Sequence, residues 1–240
     1  MGRCRVLNCG HPFEANNSLF ITHHSSLITH CSSILTMEIL KKYFADFTEA
    51  QLLQLAALKD LYGEWNEKIN VISRKDIDNF YEHHVLHSLA IATQFEFAAG
   101  MQVMDLGSGG GFPGIPLAIF FPGTQFHLVD SINKKLKVAN EVAAAIGLQN
   151  ISTQHCRAEE IKNRKFDVVV SRAVAPLKDL WIWSKPLLKK GTKPSGLICL
   201  KGGDLTREIY ESNCKPRIWE VEKIFEEPFF KDKFLLQVAI

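Results

Sequence analysis

The chain has 240 residues, 46% of them hydrophobic and 22% charged, which sets its scale at one domain with at most a small appendage and excludes a disordered or fibrous protein. Its 28 Lys and Arg against 26 Asp and Glu leave a formal net charge of +2, which excludes coating nucleic acid by charge alone, so any such contact must be local. No apolar run nears the ~18 residues needed to cross a bilayer, no signal-peptide core opens the chain, and the six cysteines lack C-x-x-C spacing, so a soluble cytoplasmic protein with reduced thiols is expected.

Residues 1–36 differ in kind from the rest. They carry three of the six cysteines and four of the nine histidines, but only Arg3, Arg5 and Glu14 as charges. Ile21-Thr22-His23-His24-Ser25-Ser26-Leu27 is followed at once by Ile28-Thr29-His30-Cys31-Ser32-Ser33-Ile34, a seven-residue repeat without helical or strand periodicity. It reads as translated non-coding sequence. No pair among Cys4, Cys9, His11, His23, His24, His30 and Cys31 has zinc-ligand spacing, and no metal site is expected. Met37 opens a well-patterned segment and is expected to be the true start.

From Glu38, the apolar residues Ile39, Leu40, Tyr43, Phe44, Phe47, Leu52, Leu55, Leu58, Leu61 and Trp65 recur at three- and four-residue steps, the period of helices with one buried face. Turn and cap residues from Asn66 to Ser73 predict a break, and a second amphipathic stretch runs from about Asp76 to Phe97. After Gly100, short apolar runs alternate with helical stretches. The runs Gln102 to Leu106, Gln125 to Val129, Ile151 to His155, Phe166 to Val170 and Leu197 to Leu200 predict a parallel α/β sheet. Trp219 to Phe225 and Phe234 to Ile240, separated by a short polar turn, predict an antiparallel hairpin closing it. The expected layout is a leader at 1–36, a helical cap at 37–99 and a Rossmann-like sheet domain at 100–240, with 37–240 forming one compact unit.

The most informative stretch runs from Val103 through Asp105, Gly107, Gly109, Gly110 and Gly111 to Phe112 and Gly114, a strand entering a glycine-rich turn and then a helix. Glycine lets the backbone turn sharply and approach a ligand, although such turns also serve plain strand-to-helix packing. Asp130 decides between the two. It lies 23 residues beyond Gly107 at the end of the next strand, where a carboxylate accepts hydrogen bonds from both ribose hydroxyls of a nucleoside cofactor. Asp105 favours S-adenosylmethionine over a nicotinamide dinucleotide, because a carboxylate before the loop suits a cationic amino-acid moiety and not a pyrophosphate. Gly114 also falls too late for the dinucleotide fingerprint.

These residues are part of a dense resemblance over roughly residues 45 to 240. It includes Trp65-Asn66-Glu67-Lys68-Ile69-Asn70-Val71-Ile72-Ser73, His84-Val85-Leu86-His87-Ser88, Asp105 through Pro116, Asp130-Ser131, Arg157-Ala158-Glu159-Glu160, Phe166 through Ala173, and Leu200-Lys201-Gly202. On these motifs the chain resembles the small-subunit ribosomal RNA guanine-N7 methyltransferases, also called glucose-inhibited division protein B. The resemblance implies a class I S-adenosylmethionine-dependent methyltransferase fold, 16S ribosomal RNA or a small-subunit particle as substrate, and cofactor contacts from Gly107, Phe112, Ala158, Glu159 and Arg172. The family often has Asp where this chain has His87, and the leader has no expected counterpart in it. A monomer is expected.

Methyl transfer to guanine N7 uses an in-plane lone pair, so no base need remove a proton and catalysis rests on proximity and alignment. Ser171-Arg172-Ala173-Val174 agrees, having neither the Asn-Pro-Pro-aromatic box of amino methyltransferases nor the Pro-Cys nucleophile of cytosine-carbon enzymes. Arg172 and Lys201, at the carboxyl ends of the fourth and fifth strands, are the expected electrostatic and positional groups. Cys156 and Cys199 read as core residues within strands. His83, His84 and His87 read as RNA contacts or packing and not as metal ligands, and the scattered Lys and Arg groups read as solvated surface with a local phosphate-binding rim. A small-molecule methyltransferase and a non-catalytic nucleotide-binding module are the alternatives.

Overall fold

The computed structural model describes residues 37–73, 75–172, 174–191 and 193–240. The leader at 1–36, with its Cys and His residues, lies outside the described residues. The cap begins with α1 (Glu38–Tyr43) and α2 (Glu49–Asn66). Thr48 starts α2 with a reciprocal cap, its hydroxyl accepting from the Gln51 amide while the Gln51 side chain accepts from the Thr48 amide. Leu55, Leu58 and Tyr62 form its buried stripe. The predicted break is present, and Asn66 holds it: its carboxamide accepts from the Val71 and Ile72 amides and donates to the Ile72 carbonyl.

The amphipathic stretch predicted from about Asp76 to Phe97 is built of short pieces. A π-helical turn at Tyr81–Leu86 runs into α3 (His87–Leu89) and a 3-10 turn at Ile91–Thr93. The apolar period survives, with Phe80, Val85, Leu86, Leu89 and Ile91 fully buried, but the wide π turn re-aims the histidines.

The sheet comprises β1 (Gln102–Leu106), β2 (Gln125–Asp130), β3 (Ile151–His155), β4 (Val168–Arg172), β5 (Gly196–Gly202), β6 (Arg217–Glu220) and β7 (Lys233–Val238), in the order β3-β2-β1-β4-β5-β7-β6. The first five strands are parallel, and β7 inserts antiparallel between β5 and β6. The closing hairpin is therefore present, but its connection is no short polar turn: residues 221–232 contain 3-10 turns at Val221–Lys223 and Pro228–Phe230 that bury Phe225 and Phe230. Phe166 lies outside β4 and makes an isolated bridge with Leu188.

The crossover helices are α4 (Gly114–Phe120), α5 (Asn133–Ala145), α6 (Leu177–Ser184) and α7 (Thr206–Ser212). Strand alternation sends Val103, Val168 and Val170 into one core with the cap, α4 and α5, and Met104 and Val169 into a second with α6. The chain leaves β1 toward β2 and β3, then returns to place β4 on β1's other side. That reversal opens a crevice at the carboxyl ends of the strands, where open α/β sheets bind ligands.

Candidate active site

A cavity of about 490 Å³ occupies this crevice. Gly107, Gly109, Phe112, Asp130, Ala158, Glu159 and Arg172 all line it, brought together from four loops as the sequence predicts. Gly107 has φ +69°, and an added Cβ would meet the Val174 methyls at 2.6 and 2.7 Å, so both its conformation and its surroundings require glycine. The Asp130 carboxylate ties two loops together, one oxygen accepting from the Gly109 amide and the other from the Ile132 amide, each at 2.8 Å. Beyond β3, Ala158–Glu160 forms a 3-10 turn closed by Glu160 on the Arg157 amide.

Three predicted residues lie elsewhere. Asp105 is fully buried behind the loop, where it accepts from the Gly114 amide at 2.8 Å and keeps its other oxygen without a partner. Burial raises its pKa to about 7, opposed by the Gly114 amide and by the charge of Arg172. It is absent from the cavity lining, and its contact with the glycine stretch is the bond from the Gly114 amide. Gly111 turns away from the cavity, and its Cβ position is filled by Ile115 and Ala139.

Lys201 is the clearest correction. Its buried ammonium pairs with Glu208 of α7 at 2.6 Å and donates to the Ala175 carbonyl, while Glu208 also accepts from the Leu177 amide at the start of α6. A lysine at a strand end faces either the crevice or the neighbouring helix, and a carboxylate one turn into α7 draws it to the helix. It braces the β4–α6 connection and does not line the cavity. Lys201→Ala, which leaves Glu208 unpaired, is expected to cost roughly 1–3 kcal/mol in chemical denaturation. An unchanged denaturation midpoint would remove that bracing role.

Arg172 stands at the cavity wall with its guanidinium over the Phe112 ring, 5.0 Å from the centroid. Nη1 donates to the His83 and His84 carbonyls at 3.3 and 3.5 Å, and Nη2 to Nδ1 of His84 at 3.1 Å. Burial lowers its pKa to about 10, with Asp105 and Tyr62 opposing, so it is charged at neutral pH. Phe112 is itself held by Tyr62 and Phe80, with centroids at 4.9 and 5.9 Å. The Tyr62 hydroxyl donates to the Gly110 carbonyl at 2.6 Å, so the cap grips the glycine loop directly.

The three histidines diverge. His83 pairs with Asp76 at 3.1 Å and stacks on Phe229 at 3.8 Å, His84 faces Arg172, and His87 is buried against Phe229 and Phe230. Among the described residues no three His, Cys, Asp or Glu side chains converge as a metal site. Cys199 is buried in β5, whereas Cys156 sits one residue past β3 and lines the cavity. Val71, Trp183 and Val174 also line it and were not foreseen. Trp183 lies in α6, and nothing in its local pattern distinguishes it from the core-facing residues beside it.

Seven strands in this order with β7 reversed, and a glycine-loop cavity over their carboxyl ends carrying a carboxylate on the second strand, define a class I S-adenosylmethionine-dependent methyltransferase. The family profile "rRNA small subunit methyltransferase G" (GidB) matches residues 51–232, and the chain belongs to that family. The ribosomal RNA small subunit methyltransferase G of Phocaeicola vulgatus is 57% identical over 207 residues, covering 85% of this chain and 99% of that protein. Its counterpart in Bacteroides thetaiotaomicron is 60% identical over 200 residues, covering 82% and 97%. That of Parabacteroides distasonis is 56% identical over 232 residues, covering 95% and 96%. This last match reaches past Met37 into the leader and corrects the expectation that the leader has no counterpart in the family.

Proposed function

We infer that this enzyme transfers a methyl group from S-adenosylmethionine to N7 of a guanine in 16S ribosomal RNA. Membership of the family carries the substrate, and the cavity carries the cofactor: loop backbone bare of side chains at Gly107, and the Asp130 carboxylate at the ribose position. S-adenosylmethionine supplies a sulfonium-bound methyl group open to in-line attack. Asp130 takes the ribose hydroxyls while holding the glycine loop, Ala158 and Glu159 bound the adenine end, and Arg172 offers a fixed guanidinium to the amino-acid carboxylate. The enzyme acts as a cytoplasmic monomer, with residues 37–99 as a cap on the 100–240 methyltransferase unit. Among the described residues no helix is long and apolar enough to cross a membrane.

The deciding experiment is mass mapping of methylated nucleotides in ribosomal RNA from cells with and without the gene. Loss of one N7-methylguanosine from 16S RNA is the expected result, and an unchanged map sinks the assignment.

Asp130→Ala is expected to weaken S-adenosylmethionine binding by on the order of 1.5–3 kcal/mol in calorimetry, since charge-assisted ribose bonds and the Gly109 tether go together. Undiminished affinity would take Asp130 out of the site.

Single-turnover rates at saturating cofactor and RNA are expected to be nearly flat from about pH 6.5 to 9, because the nucleophile is already unprotonated. His84 fits this reading: burial and then Arg172 hold its pKa down to about 3, and its Nδ1 is occupied by Arg172. A rate rising tenfold per pH unit and levelling near a histidine pKa would require a base, and N7 would have to yield to a nitrogen that carries a proton.

A further inference from the structure

We propose that His84, projecting from the helical cap, is the positioning residue that aims the Arg172 guanidinium at the cofactor's carboxylate. The inference rests on the S-adenosylmethionine reading of the cavity. Arg172 ends β4, and a long side chain leaving a strand end has several rotamers open to it unless its donors are engaged. Here they are engaged from one direction. The π turn at Tyr81–Leu86 offers the carbonyls of His83 and His84 to Nη1, and the imidazole Nδ1 of His84 accepts from Nη2 at 3.1 Å. The Phe112 ring supports the guanidinium's face. Three acceptors and a ring fix the plane of the fork, which is what a bidentate bond to a carboxylate requires.

All three acceptors are neutral. A carboxylate at position 84 would hold Arg172 as firmly but would neutralise it, whereas a neutral imidazole holds the side chain and leaves its charge for the ligand. Because Nδ1 accepts, the imidazole proton resides on Nε2, which is buried without a partner. The cost of that unpaired donor is what the contact with Arg172 offsets. The His84 carbonyl is shared, since it also accepts from the Ser88 hydroxyl at 2.6 Å, which holds this turn of the cap in place beside Arg172.

The test is calorimetry of S-adenosylmethionine on the full chain, comparing His84→Phe, which keeps a ring and removes the acceptor, with His84→Asn, whose Oδ1 replaces Nδ1 and whose ring is lost. His84→Phe is expected to weaken binding about tenfold or more, and His84→Asn to recover most of that loss. In an Arg172→Met background, His84→Phe is expected to add less than about twofold. A pure packing role predicts the reverse order, with asparagine the worse variant, and that order, or effects that simply multiply with Arg172→Met, overturns the proposal. Should His84→Phe fail to fold, the 15N spectrum of the wild-type imidazole decides: an unprotonated Nδ1 whose resonance moves in Arg172→Lys supports the proposal, and a protonated Nδ1 overturns it. No binding of S-adenosylmethionine by the wild-type protein would instead overturn the reading on which the proposal rests.

Discussion

Replacing Gly114 with alanine should cost the fold on the order of 2–3 kcal/mol and weaken S-adenosylmethionine binding about tenfold or more. An added Cβ would sit 2.7 Å from Oδ2 of Asp105 and 3.0 Å from Cδ1 of Leu128. Oδ2 is the atom that accepts from the Gly114 amide, and Asp105 has no solvent into which to retreat. Either the carboxylate moves and loses its hydrogen bond inside a dry pocket, or α4 shifts and carries the glycine loop with it. Urea denaturation and cofactor titration of the variant measure the two consequences. A variant with wild-type midpoint and affinity would mean that the loop relaxes around the methyl group. This contact also explains Gly114, the last glycine of the stretch, which is out of place for a dinucleotide fingerprint: it makes room for the carboxylate before the loop and not for a phosphate.

Substituting His87 with leucine should make the protein more resistant to acid than its parent. Burial, followed by the nearby charge of Arg172, Lys233, His84 and His83, holds the His87 pKa well below its ordinary value, and its Nε2 has no partner. The folded state therefore keeps the ring neutral while the unfolded chain binds a proton below about pH 6.5. Stability from this group is fully present above that value and is lost as pH falls below it. His84, held down at about 3, acts in the same direction. Asp105, raised to about 7, acts oppositely, because its penalty is greatest at high pH and fades as the carboxyl protonates. The parent's own pH profile mixes these, so the variant-minus-parent difference is the measurement. It should grow in the variant's favour as pH falls below about 6.5, by at most about 1.4 kcal/mol per pH unit. A difference independent of pH would show that His87 does not titrate on unfolding.

The parallel sheet was legible because each buried strand is a short run of β-branched and other apolar residues between turn residues, and Val168-Val169-Val170 is the plainest case. The glycine loop and Asp130 were legible because backbone conformation and hydrogen-bond capacity are properties of single residues. The pieces of the site that depend on two distant segments were not. Lys201 has the same local sequence whether it points to the crevice or to Glu208, and only the placement of α7 against β5 decides. The π turn has the apolar spacing of an α-helix, so periodicity could not reveal that it presents two carbonyls and an imidazole to Arg172. The predicted turn between Phe225 and Phe234 hides its contribution to the core because Glu226, Glu227, Lys231, Asp232 and Lys233 surround Phe230, the residue that buries it.

The packing of the cap onto the sheet has a consequence for how the protein is made. Leu55, Leu58, Phe80, Leu86 and Leu89 share one core with Val103, Phe126 and Leu128, and Ile115 of α4 lies among them. During synthesis the cap leaves the ribosome before the sheet, and its apolar stripe has nothing of the sheet to cover it until β1, α4 and β2 have followed, several seconds later at roughly 5–20 residues per second. Over that interval the nascent chain displays the greasy, intermittently helical segments that chaperones bind. A protein that methylates ribosomal RNA thus passes part of its own synthesis as an exposed apolar ribbon at the surface of a ribosome.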